Sequence, residues 1–247
     1  MIVLRALGVG IVLIAIWQGV IWLFGPPPYL LPAPLAVAAA LHDRPDLWRA
    51  DLATTLIETI VGLVLGTLVG AALALIMAFV PLTRRPLLPA LVVSQAIPVF
   101  AIAPVLALWL GFGVTPKIVM ATIAIFFPVT SAYADGLTRA DPGLIELGRL
   151  YGARRWQEVA ILRMPGAIPG LITGVRLAAV YAPVGALIGE WVGSTSGLGY
   201  AMLFANARSE TAVMFAALFL VVALSVLLRA GVDLLTANLA PWAPEIR

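Results

Sequence analysis

The 247-residue sequence contains no cysteine, one histidine (His42) and one lysine (Lys117), and only 11% of it is charged. Without cysteine there is no disulfide framework, no thiol nucleophile and no thiolate metal site. A single imidazole, beside Asp43 in a polar stretch, leaves no His cluster for metal or acid–base chemistry. The lone lysine follows Pro116 and precedes Ile118, so the Gly-Lys-Ser/Thr core of a P-loop is absent and the chain has no such nucleotide site. A soluble domain is about 25% charged, roughly twice the share found here. What is abundant is apolar surface: 62% of residues are hydrophobic and the mean hydropathy is +1.07. A disordered chain is poor in such residues. These absences and this excess define an integral membrane protein.

A spanning helix needs about 20 mainly apolar residues. Six segments qualify: Ala6–Phe24, Thr59–Val80, Leu87–Leu110, Ile118–Ala134, Ile168–Gly189 and Ala212–Leu228. The expected fold is therefore all-α, one transmembrane domain over residues 1–247. The first segment is read as a retained helix, because Gly-Pro-Pro-Pro follows it instead of a small-residue cleavage site. With the N-terminus inside, ten arginines (Arg5, Arg84, Arg85, Arg139, Arg149, Arg154, Arg155, Arg163, Arg229 and Arg247) fall on the cytoplasmic side. Four basic residues (Arg44, Arg49, Lys117 and Arg208) fall outside, and Arg176 lies within a helix. The positive-inside rule then predicts that both termini are cytoplasmic. The net charge of +3 reflects this orientation, and no nucleic-acid partner is expected.

The loops differ in character. Gly25–Leu56 is an external, Pro-rich connection with a short apolar run, Leu35–Leu41, suited to the interface. Pro81–Pro86 and Gly111–Lys117 read as tight turns, and Trp191–Thr211 as an external Gly/Ser-rich loop. Small residues recur every four positions at Gly62, Gly66, Gly70, Ala74 and Ala78, then at Gly166, Gly170 and Gly174, and again at Gly185 and Gly189. Such stripes let helix backbones approach closely in lipid; the partner is another helix of this chain or a second copy.

Residues 135–166 form the long internal loop. Asp141 can cap a helix starting at Pro142 and running through Leu150 to Gly152. A second short helix is expected over Ala153–Leu162, ended by Pro165, with Arg154 and Glu158 paired on its exposed face. Two amphipathic helices joined at a glycine suit either a partner's apolar groove or the chain's own membrane surface.

The run Glu146-Leu-Gly-Arg-Leu-Tyr-Gly152-Ala, with Pro165 thirteen residues after Gly152, resembles the EAA loop of binding-protein-dependent ABC importer permeases. Leu147 and Gly148 replace that pattern's two alanines. Leu31–Pro34, Gly174–Arg176 and Ser196–Tyr200 extend the resemblance along the chain, towards the nitrate/sulfonate/taurine-type branch. The resemblance implies a type I importer permease fold in a bacterial inner membrane. It also implies a homodimer, an external or periplasmic substrate-binding protein, and a cytoplasmic ATPase dimer that binds ATP and Mg; no cofactor is expected in this chain. Glu146, Gly152, Ala153, Trp156 and Pro165 would then belong to the region that couples to the ATPase. The stretches Glu190-Trp-Val-Gly, Ala205-Asn-Ala-Arg, Met214-Phe-Ala-Ala-Leu, Phe126-Phe-Pro-Val-Thr130 and Pro241-Trp-Ala-Pro resemble permeases for hydroxymethylpyrimidine, a thiamine precursor. An aliphatic sulfonate, taurine, nitrate or another small aromatic is the alternative cargo.

Polar groups inside the membrane are candidates for the pathway or gate. Gln95 precedes Pro98 in the third segment, and a broken helix is one way to build a transport site; a kink that serves packing is the other reading. Arg176 either snorkels to the interface or lines the pathway, and Glu190 is either a solvated helix end or a gate. Arg176 and Glu190 share nearly one helix face but stand too far apart to pair, so each is expected to find water or its own partner. Thr130 and Ser131 can bond back to their own helix. An ion-coupled secondary transporter would show repeats and membrane carboxylates, and the sequence displays neither plainly. An intramembrane enzyme would need a nucleophile–base pair or metal ligands in the spans.

Overall fold

A computed structural model describes residues 2–242, with the side chains of residues 2–7 and 9 left aside. Arg247 and the Ala243-Pro244 end of the C-terminal motif lie outside the described residues, as does the side chain of Arg5. The described residues form helices and turns and no strand. In order these are α1 (Ile2–Phe24), α2 (Pro34–Asp43), α3 (Pro45–Phe79), α4 (Pro81–Ala96), α5 (Val99–Leu110) and α6 (Val114–Thr138). Then come α7 (Pro142–Leu150), α8 (Arg155–Gln157), a π-helical turn (Glu158–Arg163), α9 (Met164–Trp191), α10 (Leu198–Ala207) and α11 (Thr211–Thr236).

Among the described residues four helices are long and apolar enough to cross a membrane, or five spans if the bent pair α4 and α5 counts as one: α3, α6, α9 with the short helix and turn leading into it, and α11. The third predicted segment is not one rod. It divides into α4 and α5, bent by 95° at Ile97 and Pro98. The cause is local: a residue before proline avoids the helical region, and proline has no N–H to donate. Pro81–Pro86 is likewise not a turn but the first turns of α4, separated from α3 by Val80 alone.

The second predicted span begins fourteen residues too late. α3 starts at Pro45, a proline in the first turn, and runs for 35 residues. Asp46, Arg49, Asp51 and Glu58 interrupt the hydropathy of this stretch without interrupting the helix. At 1.5 Å per residue α3 is about 50 Å long, well beyond the roughly 30 Å hydrocarbon core. The loop expected over Trp191–Thr211 contains a further helix, α10, and the Leu35–Leu41 run forms most of α2.

The centre of the molecule is α6, clasped between α3 and α9, and the small-residue stripes explain why. A Cβ on Gly66 would stand 2.5 Å from Ile125, and one on Gly70 2.6 Å from the Phe126 carbonyl oxygen. From the other side, Gly170, Gly174, Gly185 and Gly189 lie against Ala132, Val129, Ala121 and Lys117 along almost the whole of α6. All three stripes therefore serve close packing within one chain; of their glycines, Gly166 alone has open space. In lipid such contact is stabilised by dispersion and backbone proximity, because tails offer no hydrophobic drive between helices. Ile125, Val129, Ala178, Ala179 and Ala182 fill the resulting core.

A second core at the other side packs α2, α10 and α11 around Trp48, Leu187 and Leu198, with Trp17 of α1 stacked on Phe215 and Phe219. α4 and α5 contribute less, and Val92, Val93, Phe100, Leu108 and Trp109 remain exposed.

Candidate functional site: the segment between α6 and α9 and a buried polar cluster

The segment between α6 and α9 is built largely as its residues predict. The Asp141 carboxylate accepts a 2.8 Å hydrogen bond from the Gly143 N–H and caps α7 behind Pro142. The helix stops at Gly152, whose φ of +80° is a left-handed conformation that a branched residue adopts only under strain. The amides of Gly152 and Ala153 bond back to Arg149 and Gly148. Leu150 and Tyr151, each 85% exposed, form the tip, with Trp156 and the carboxylate of Glu146 also on the surface.

The second half departs from expectation. α8 is one turn long, and a π-helical turn carries it directly into α9. Pro165 ends no helix; it sits in the first turn of α9, directly after the π-helical turn, and the chain continues helically through it. Glu158 does not pair with Arg154 at the surface. It is buried and accepts hydrogen bonds from Arg149, Arg155 and Arg163. Arg155 also donates to the Ala78 carbonyl at 2.7 Å, and Arg163 reaches that of Leu137. These carbonyls lie at the ends of α3 and α6, where a helix dipole favours a cation. One carboxylate and three guanidiniums thus fasten the segment to both spans.

A second polar centre occupies the opposite end of the same helices. Asp51, Thr55, Glu58 and Thr59 share one face of α3, and all are buried. Lys117, in the first turn of α6, places its Nζ 2.9 Å from Glu58 Oε1. Thr55 Oγ1 donates to Glu190 Oε1 at 2.6 Å, while the Leu198 amide donates to Thr55 Oγ1 at 2.8 Å. The Gly199 amide donates to Glu190 Oε2, and that of Gly197 to Asp51 Oδ1 at 2.8 Å. The N-terminal amides of α10 therefore bind the carboxylates of α3 and α9, as a helix N-terminus favours. Gly197 has a φ of +109°, and a Cβ there would strike the Glu190 carboxylate, so the Ser196–Tyr200 motif is a glycine-dependent clasp.

This centre corrects several expectations. Lys117 is enclosed and ion-paired, not an external surface charge. Glu190 is not a solvated helix end. Carboxylates do lie within the long helices, at Glu58 and Glu190, although bound to an ammonium, a hydroxyl and a backbone amide. The signal was present in the spacing: Asp51, Thr55 and Glu58 continue the Gly62–Gly66–Gly70 stripe upward along α3.

The remaining candidates are not gathered into one site. Arg176 Nε lies 2.6 Å from Asp233 Oδ1, and Arg229 Nε 3.0 Å from Oδ2, an ion-paired strut between α9 and α11. Arg176 and Glu190 each find their own protein partner, so neither depends on pathway water. Gln95 is exposed near the end of α4, bonded only to Ser94 at 3.3 Å, and Pro98 forms the corner where α5 begins. Thr130 bonds back to the Phe126 carbonyl at 2.8 Å, as its position predicts.

Comparison with known proteins agrees with this architecture. Residues 62–243 match the family described as binding-protein-dependent transport system inner membrane component. A probable ABC transporter permease of Haemophilus influenzae is 43% identical over 90% of this chain and 91% of its own. The formylaminopyrimidine transport permease ThiX of Halalkalibacterium halodurans is 34% identical over 94% of this chain and 93% of its own. The taurine permease TauC of Escherichia coli K12 is 28% identical over 98% and 90%. In structure, a chain of the MetNI methionine ABC transporter in an inward-facing conformation superposes with a TM-score of 0.68 at 22% identity, covering 78% of this chain and 95% of that one. The fold is that of type I importer permeases. The chain belongs to the binding-protein-dependent inner-membrane permease family and is a permease subunit of an ABC importer.

Proposed function

We propose that this permease works as a homodimer, takes a small pyrimidine of the thiamine-precursor type from an external binding protein, and docks the segment around Gly152 into a cytoplasmic ATPase. The observation that carries the docking is the contrast within residues 141–163. An exposed apolar tip, Leu150, Tyr151 and Trp156, stands on a base fixed through Glu158 to α3 and α6. A rigid base beneath an unpartnered tip transmits motion from a partner to the spans. Glu146, Gly152 and Ala153 shape the tip, and Pro165 begins the span that receives the motion.

In this reading both termini are cytoplasmic, and ATP and Mg belong to the partner. The corner at Gln95 and Pro98 faces the pathway between two copies, Glu190 holds the outer helix α10, and Arg176 braces α9 against α11. The pyrimidine assignment is supported by likeness to ThiX over nearly the full chain. Uptake of labelled hydroxymethylpyrimidine and taurine by cells expressing the complete importer tests it. Pyrimidine uptake that taurine does not inhibit is expected; taurine uptake without pyrimidine uptake would transfer the assignment to sulfonates. Cysteines introduced at residues 95, 98, 176 and 190 of this Cys-free chain test the pathway: only positions 95 and 98 should react with a hydrophilic thiol reagent during turnover.

A further inference from the structure

Beneath the coupling segment lies a cavity of about 290 Å³, between the ends of α3 and α6 and the start of α4. Its walls carry Arg84, Arg155 and Arg163, and Met77, Ala134 and Leu137 form an apolar floor. No carboxylate lines it among the described residues. Each nitrogen of Arg163 is engaged, Nε and Nη2 with Glu158 and Nη1 with the Leu137 carbonyl. Arg155 gives its two terminal nitrogens to Glu158 and Ala78, but its Nε is buried without a partner. Arg84, in the first turn of α4, is exposed and makes no ion pair or side-chain hydrogen bond among the described residues. Glu158 is the one carboxylate paired with Arg149, Arg155 and Arg163, so with Arg84 this region carries a surplus of positive charge.

An unused guanidinium and an unpartnered Nε, on two arginines that line one cavity, match an oxyanion with several acceptor oxygens, above all a phosphate. The surroundings narrow the source. Val80 and Leu82, both exposed, flank Pro81 of the cavity wall in the chain and add apolar surface beside it. A soluble anion would leave that surface uncovered, whereas a phosphodiester with acyl chains covers both parts. Basic pockets between spans on the cytoplasmic side are where anionic lipid headgroups bind.

We infer that this cavity holds the headgroup phosphate of an anionic phospholipid, bridging Arg84 of α4 to Arg155 of the coupling segment. The lipid would tie α4 to the base of the segment and make coupling depend on bilayer composition. The inference rests on the cytoplasmic placement of this end of the molecule proposed above; binding itself can be measured independently of orientation and of ATPase docking.

The test is native mass spectrometry of the detergent-purified permease–ATPase complex with dioctanoyl phosphatidylglycerol or dioctanoyl phosphatidylcholine. Phosphatidylglycerol should be retained about tenfold better than phosphatidylcholine. Arg84→Gln should remove most of that preference, while Arg85→Gln, a neighbour that does not line the cavity, should keep it. Because Arg84 is exposed and without a side-chain partner, its replacement leaves the fold intact, which the melting temperature checks. Equal retention of the two lipids would overturn the inference, as would equal losses in Arg84→Gln and Arg85→Gln. Displacement of phosphatidylglycerol by millimolar inorganic phosphate would identify a free-anion site and overturn the lipid assignment.

Discussion

Two buried carboxylates show what a single side chain decides here. Glu58 is enclosed beside Lys117, and removing one partner of such a pair costs about 3–5 kcal/mol because it strands the other charge. Lys117→Met should therefore lower the melting temperature of the purified permease sharply. The double variant Glu58→Gln/Lys117→Met should recover most of the loss, since coupling within the pair makes single losses non-additive. Glu158 is shared by Arg149, Arg155 and Arg163, so Glu158→Gln strands three guanidiniums and should also lower the melting temperature of the purified permease. At this scale the sequence was half legible. Asp141, Gly152 and Thr130 act as their positions suggest, whereas Glu158 has four arginines within nine residues (Arg149, Arg154, Arg155 and Arg163), and spacing alone did not reveal that it meets all but Arg154.

Elements tell a different story, because the three stripes of small residues were readable and their destination was not. Gly62–Gly70 and Gly170–Gly189 announce close approach, but only the folded chain makes α6 the common partner of both. Gly70→Leu should force α3 from α6 at the Phe126 carbonyl and cost about 1–3 kcal/mol, measured as a lower melting temperature, while Gly166→Leu, facing open space, should be near neutral. Proline signals were visible at Ile97–Pro98, yet hydropathy averaged α4 and α5 into one span and concealed a 95° corner. Charged residues had the opposite effect on α3, hiding its first turns although the helix continues through them. α10 escaped because its N-terminus is made by tertiary bonds to Asp51, Thr55 and Glu190, which no local pattern encodes.

At the scale of the whole molecule, polar work is divided between two ends of one helical sandwich. At one end Asp51, Glu58, Lys117 and Glu190 knit α3, α6, α9 and α10 together; at the other, Glu158 and its arginines fasten the coupling segment to α3 and α6. α3, α6 and α9 run between these ends in close contact, so under the proposed docking a push on the segment would reach the opposite cluster through packed backbone. The family was legible at this scale: the likeness to binding-protein-dependent permeases, first seen in the Glu146–Gly152–Pro165 spacing, agrees with the family match over residues 62–243, although the local structure of that segment differs from expectation. Exposed apolar faces on α4 and α5 agree with a second copy lying against them, and cross-links between permeases in the assembled transporter are the expected outcome. Gly152→Val should insert normally and abolish ATP-driven uptake, since the +80° φ it strains shapes the tip and not a span.

The docking of that tip is the central claim, and site-specific cross-linking tests it most directly. A Tyr151→Cys variant of this Cys-free chain, assembled with its ATPase and treated with a short thiol-to-amine cross-linker, should yield a permease–ATPase adduct whose abundance changes when ATP is added. Absence of that adduct in a complex that still hydrolyses ATP and transports would contradict the account.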